Sequence, residues 1–194
     1  MTDALISFVK FIGEISMLNP KDLKGNGIMF NRGDIVLYGS SGICEIGDIT
    51  TVDIPGVPKD KLFYILYQKS GNAKIYVAVD GNTSKMRKLI SKAEAMKLID
   101  QIADIEPLKV KDKKKPEAEY KEALQKYDCT ELIKLIKCLY FRKQQRLEEG
   151  KKATAADEKY MKSAEEVLYQ ELGVVLDIPK DQVLDFIFKK IDGE

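Results

Sequence analysis

Asp34-Ile35-Val36-Leu37-Tyr38-Gly39-Ser40-Ser41-Gly42-Ile43-Cys44-Glu45-Ile46-Gly47-Asp48-Ile49-Thr50 is the stretch that decides the fold. Two β-rich runs, 34–38 and 43–50, are separated by four small residues, the pattern of antiparallel strands joined by a short hairpin-like connection. The same grammar continues downstream. Leu62 to Gln68 and Lys74 to Val79 flank Ser70-Gly71-Asn72, and Arg87 to Ile90 supplies a short fifth strand. Pro55 and Pro58 keep the 51–60 connection out of the sheet, because proline cannot donate to a ladder. Five short strands with tight turns predict a small antiparallel β-barrel of the Tudor or SH3 type.

After residue 90 the apolar period changes from two to that of a helix. Ser91-Lys92-Ala93-Glu94 has the form of a capping box ahead of Ala95, Met96, Leu98, Ile99 and Ile102. Pro107 stops that pattern, and Lys109 to Lys115 reads as a lysine-rich linker. Pro116 suits the first position of a helix to about Tyr127. Asp128 can cap a long helix through Leu132, Ile133, Leu135, Ile136, Leu139 and Tyr140, with Gly150 as its stop. Thr154 caps another through Met161, Ala164, Val167, Leu168 and Leu172. Pro179 opens a last helix that buries Val183, Leu184, Phe186 and Ile187. The fold class is therefore α+β, a small antiparallel Tudor/SH3-like β-barrel followed by an all-helical domain.

Residues 1–28 read as an add-on. Leu5, Phe8, Ile12 and Ile15 recur at near-helical spacing, and Asn19-Pro20 and Gly25-Asn26-Gly27 then break the pattern. The segment is either an amphipathic helix that docks on the body or a partner, or a gene-start artefact with Met29 the true initiator. The second reading is preferred, because the next motif begins at Phe30 and the extension carries no chemistry. The expected domains are an N-terminal extension at 1–28, a barrel domain at 29–105 and a helical domain at 106–194.

Composition narrows the function. Apolar content of 44% and charged content of 32% fit a folded chain, and no apolar run approaches the ~18 residues of a membrane span. Cys44, Cys129 and Cys138 form no CxxC pair, which points to buried, reduced thiols in a cytoplasm. The chain has no histidine. That removes Ser-His-Asp and Cys-His arrangements and leaves no plausible zinc ligand set. Gly71-Asn72 and Gly81-Asn82 are turns, and neither GxxxxGK[ST] nor GxGxxG occurs. No enzyme and no cofactor are expected.

Charge is balanced overall, at 32 basic and 31 acidic residues, but not locally. Between Glu131 and Glu148 the charged residues are Lys134, Lys137, Arg142, Lys143 and Arg146, and Lys151 and Lys152 follow. Such a cluster can neutralise DNA phosphates without reading sequence. On charge alone the preferred reading is a solvated face whose cations favour the helix C-terminus, because the chain is close to neutral overall. Tyr64, Tyr67 and Tyr76 lie in strand patterns, either as a stacking platform or as ordinary cross-strand packing.

Several segments taken together resemble the CarD-like bacterial transcription regulators. Met29 to Tyr38, followed by Gly42-Ile43-Cys44-Glu45-Ile46, is similar to the family's opening, roughly F-x-x-G-D-x-V-x-Y…G-x-x-x-I. Glu119 to Leu124, Leu139 to Arg146 and Gly150 to Tyr160 resemble segments of its helical half, in the same order. The resemblance implies a barrel that pairs edge-on with the β subunit of RNA polymerase, through the strand at Lys74, Ile75, Tyr76 and Val77. It also implies a helical domain that contacts promoter DNA without reading its sequence and modulates open-complex stability. Arg142, Lys143 and Arg146 would then meet phosphate, with Lys121, Lys151, Lys152 and Lys159 assisting. A cytoplasmic, nucleoid-associated monomer is implied.

The chain departs from the family in lacking any tryptophan, the residue several members use as a DNA wedge near the start of the helical domain. Either a smaller apolar residue such as Leu108 substitutes or the wedge is absent. Basic side chains that some members carry on the barrel are replaced, with Val77 at one such position, so that the polymerase contact would rest on backbone pairing, Ile75 and Tyr76. Two other classes stay open: a polymerase-binding adaptor that never touches DNA, and a barrel-containing RNA or ribosome binder.

Overall fold

The computed structural model describes residues 30–80, 85–112 and 115–192. The expectations for residues 1–28, for Gly81-Asn82 and for Lys113 and Lys114 lie outside them.

Five antiparallel strands form one sheet: β1 (Ile35–Tyr38), β2 (Ile43–Thr51), β3 (Leu62–Gln68), β4 (Lys74–Ala78) and β5 (Met86–Lys88). Their order is β4-β3-β2-β1-β5. Four strands fall within a residue or two of expectation. The fifth sits a little earlier than Arg87–Ile90, because Ile90 is drawn off to the helices by its backbone (below). The expected closure into a barrel does not appear as a ladder: β4 and β5 are the two edges of the recorded pairing.

The strands' period of two sorts their side chains. Val36, Cys44, Ile46, Tyr64, Leu66 and Val77 share one face and pack with Phe30 and Met86 in a first core. The Tyr64 ring meets Phe30 edge-on at 5.9 Å. Tyr64 is thus a core residue and no part of an exposed aromatic platform. The opposite face carries Leu37, Ile43 and Arg87 at one side, and Tyr67, Lys74 and Tyr76 at the other. The register of β2 on β3 slips between Ile46 and Asp48. Gly47 is the extra residue of this bulge, and glycine is favoured there, since a Cβ would collide with the Tyr67 ring as it lies over it.

Five helices follow: α1 (Lys92–Asp100), α2 (Glu117–Gln125), α3 (Cys129–Glu148), α4 (Ala155–Leu176) and α5 (Val183–Asp192). Their starts follow the sequence closely. Ser91 and Glu94 make the reciprocal capping box on α1, and Asp128 accepts from the Glu131 amide at the start of α3. Thr154 accepts from the Asp157 amide at the start of α4. Each such cap stabilises its helix by about 1 kcal/mol.

Buried Leu132, Leu135 and Leu139 of α3 pack with Leu168 and Leu172 of α4 and Val183 and Ile187 of α5 in a second core. Ala95 and Ile99 of α1 belong to that core too, so α1 packs with the helices although it precedes residue 105. Two apolar residues expected inside are exposed: Tyr140 and Leu184. Each lies on the flank of its helix that turns away from the second core.

Candidate functional site

Three places hold the residues that matter: the β4 edge, the C-terminal end of α3 and a buried ion pair between sheet and helices.

Among the described residues β4 is paired on one side only, with β3. The Val79 amide donates to the Leu62 carbonyl and the Gln68 amide to the Ala73 carbonyl. That parity points the backbone groups of Ile75 and Val77 inward to β3, and those of Lys74, Tyr76 and Ala78 toward the open side. Side chains alternate likewise. Val77 is buried in the first core and Ile75 half-buried against it, while Lys74 and Tyr76 are exposed on the other face. The Lys74 ammonium lies 5.3 Å from the Tyr76 ring centroid and 6.0 Å from that of Tyr67. Of the four β4 residues singled out in the sequence, Lys74 and Tyr76 therefore present side chains, and Ile75 and Val77 mainly hold the strand down. Tyr67, half exposed on β3, joins them; its place over a glycine was not readable before the register was known.

The basic end of α3 is built by a Schellman turn. The Lys151 amide donates to the Arg146 carbonyl at 2.8 Å and the Gly150 amide to Leu147 at 2.9 Å, with Gly150 at φ +73°. Arg146 Nε donates to the Lys152 carbonyl at 2.8 Å, and Lys151 pairs with Glu149 at 2.9 Å. Arg142 Nε is 2.9 Å from Oδ2 of Asp157, a buried carboxylate in the first turn of α4. This places Arg142 as a brace between α3 and α4. Lys143 is exposed beside a groove shared with Glu158 and Glu165. Burial raises the Glu165 carboxyl above the usual range, with Lys143 opposing. Lys121 and Lys159, both exposed, each adjoin a member of the edge-on Tyr120–Tyr160 pair. The structure thus brings Arg146, Lys151 and Lys152 to one turn, with Lys143 about one helical turn before it and Arg142 directed to Asp157 instead. Leu108 is half-buried against the second core and its amide donates to the Lys134 carbonyl, so it does not stand out as an apolar wedge.

The third place was missed in the sequence. Glu171 of α4 is 0% exposed. Arg87 of β5 meets it with two parallel hydrogen bonds of 2.6 Å, and its Nε donates to the Tyr127 carbonyl at 2.7 Å. The Ile90 amide and the Cys129 thiol also donate to Glu171, at 3.0 and 3.3 Å. Burial alone would lower the Arg87 pKa, but the carboxylate more than reverses it. Tyr127 takes φ +50° to aim its carbonyl here. This fork sets the sheet against the helices. A lone arginine in a strand pattern and a lone glutamate 84 residues later carry no sequence signal of pairing.

All three thiols resist ionisation, Cys44, Cys129 and Cys138 alike, chiefly through burial. Among the described residues no group of three or more Cys, Asp or Glu side chains is arranged to hold a metal, and no helix is long and apolar enough to cross a membrane.

With this geometry in view, comparison with known proteins adds one finding. Residues 30–90 match the family model of the CarD-like/TRCF RID domain. The match begins at Phe30, takes in the whole sheet and ends before α1, bearing out the CarD-like resemblance over the sheet. The CarD-like/TRCF RID domain is a polymerase-interacting domain. It supports a transcription-related role for the chain and RNA polymerase as its partner. No curated protein matches the chain.

Proposed function

We propose that this chain is a non-enzymatic transcription regulator. The CarD-like/TRCF RID domain docks on the β subunit of RNA polymerase by adding a strand to the β4 edge. The helical domain then rests the turn at Lys143, Arg146, Lys151 and Lys152 on promoter phosphates, with Lys121 and Lys159 alongside, and shifts the stability of the open complex. One observation carries the reading. Within a polymerase-interacting domain, β4 is an edge strand whose outward backbone groups pair with no other strand among the described residues and whose Lys74 and Tyr76 are exposed.

The phosphate contact needs no base reading, and it predicts binding that weakens steeply with salt. The Arg87–Glu171 fork supports the coupling of the two activities, because a protein that bridges polymerase and DNA transmits force only if its halves hold their angle.

The test is a pull-down of purified core polymerase with the full chain, set beside Tyr76→Asp and beside Lys143→Glu/Arg146→Glu. Arg142 is left intact because it holds Asp157. Tyr76→Asp is expected to lose polymerase. The double charge reversal is expected to keep polymerase and lose its effect on promoter opening. A parent that fails to retain polymerase removes the proposal. A second reading, an adaptor whose helices touch protein and never DNA, is favoured by one observation: Arg142 and Arg146 both hydrogen-bond within the chain. It predicts promoter effects unchanged by the charge reversal.

A further inference from the structure

We infer that Tyr140 and Phe141 form a stacking platform for unpaired nucleic-acid bases. This rests on the proposed DNA contact and adds to it a preference for melted over paired strands.

The argument starts from α3. Its buried stripe is Leu132, Leu135 and Leu139, and the two aromatic residues that follow remain half exposed, at 50% and 54%. Their rings meet edge-to-face, with centroids 6.0 Å apart at 69°. Leu147, 51% exposed, continues the apolar surface. Tyr140, Lys143 and Leu147 stand at i, i+3 and i+7, on one stripe of the helix, and Gln144 and Gln145 lie between the aromatic pair and the basic turn. Two large exposed rings on a surface helix need a reason, since isolated apolar residues are ordinary but adjoining ones mark interaction surfaces.

Charge selects the partner. From Leu132 to Leu147 the helix carries five cations and no acid. Lys137 is spent on the carbonyls of Ile102, Ala103 and Ile105, and Lys134 on Glu131. Lys151 is paired with Glu149, so Lys143, exposed next to Tyr140, and Lys152 remain at the aromatic pair's end of α3. An aromatic pair bordered by lysines and by amide side chains fits a nucleic-acid strand: cations track the backbone, and a ring accepts any base by its face. Glu158 and Glu165 of α4 share a groove with Lys143, and the first acid of α3 after the aromatic pair is Glu148, two turns on at its end.

The test uses the full chain and two fluorescein-labelled probes: a DNA duplex, and the same duplex with a central non-complementary bubble. Tyr140→Ala/Phe141→Ala is expected to weaken bubble binding roughly tenfold, with duplex binding and the salt slope unchanged. Tyr140→Phe should retain the bubble preference. Both side chains are half exposed, so a circular dichroism spectrum like the parent's is expected. Equal bubble binding by the alanine variant and the parent overturns the platform while leaving the phosphate contact in place. Failure of the parent to bind either probe removes both readings. Loss of polymerase binding by the alanine variant, with bubble binding intact, assigns the pair to a protein surface and overturns the inference.

Discussion

The sheet has two edges, and the chain treats them oppositely. At β5, Arg87 leaves the sheet and forks onto a fully buried Glu171, with Tyr127, Ile90 and Cys129 completing the shell. At β4, the outward backbone groups meet nothing among the described residues of the sheet, and Lys74 and Tyr76 lie open. An unprotected edge invites pairing with another chain. Here it is kept to five residues with a lysine at its start, which limits promiscuous pairing. One edge thus fixes the orientation of the helices, and the other is available to a partner.

The comparison breaks most visibly at the closed edge. Arg87→Met leaves the Glu171 carboxylate buried without its cation, and we expect a loss of about 3–5 kcal/mol. Urea unfolding measures it, and adding Glu171→Leu should recover a large part, since the pair replaced together by apolar groups removes the stranded charge. At the open edge the expected effect is on binding. Tyr76→Pro deletes an outward amide without touching the β3 ladder. It should abolish polymerase retention and lower stability somewhat, since proline fixes φ away from the strand value, whereas Tyr76→Ala should keep most of the retention and unfold within about 0.5 kcal/mol of the parent.

Gly47→Ala sharpens the comparison further. The new methyl displaces the Tyr67 ring from the flank of β4 at a cost of about 1 kcal/mol. Tyrosine fluorescence, unobscured because the chain has no tryptophan, should report the change. Acid gives the smallest effect, and it acts on the helical side. The Ser91 amide and hydroxyl hold the Glu94 carboxyl below its ordinary range, and Lys126 and Lys134 do the same to Glu131. Carboxyl pKa values depressed by folding give stability that is complete above the ordinary glutamate range and lost as pH falls through the folded values. The urea midpoint should therefore drop on acidification, and less so in Glu131→Gln.

The legible part of the molecule was its local grammar. The Gly39–Gly42 connection, the capping box at Ser91, the Asp128 and Thr154 caps and the Gly150 stop each put their physics into three or four neighbouring residues. Strand alternation likewise placed β4. What stayed hidden needed two distant segments at once. Arg87 and Glu171 look like any exposed charges until the fold superposes them, and Arg142 looks like a free phosphate ligand until Asp157 arrives from the next helix. Tyr140 followed the apolar spacing but is half exposed, on a flank that no element among the described residues covers. Leu184 failed for the same reason on α5.

The most direct measurement of the central claim is hydrogen–deuterium exchange of the full chain with and without RNA polymerase. In the free chain the amides of Ile75 and Val77 should already be slow, being bonded to β3, and those of Lys74, Tyr76 and Ala78 fast. The account predicts that polymerase slows the second set and leaves the first as it was. Fast exchange persisting at all three of those amides, with protection arising elsewhere on the chain, would contradict strand addition at the β4 edge.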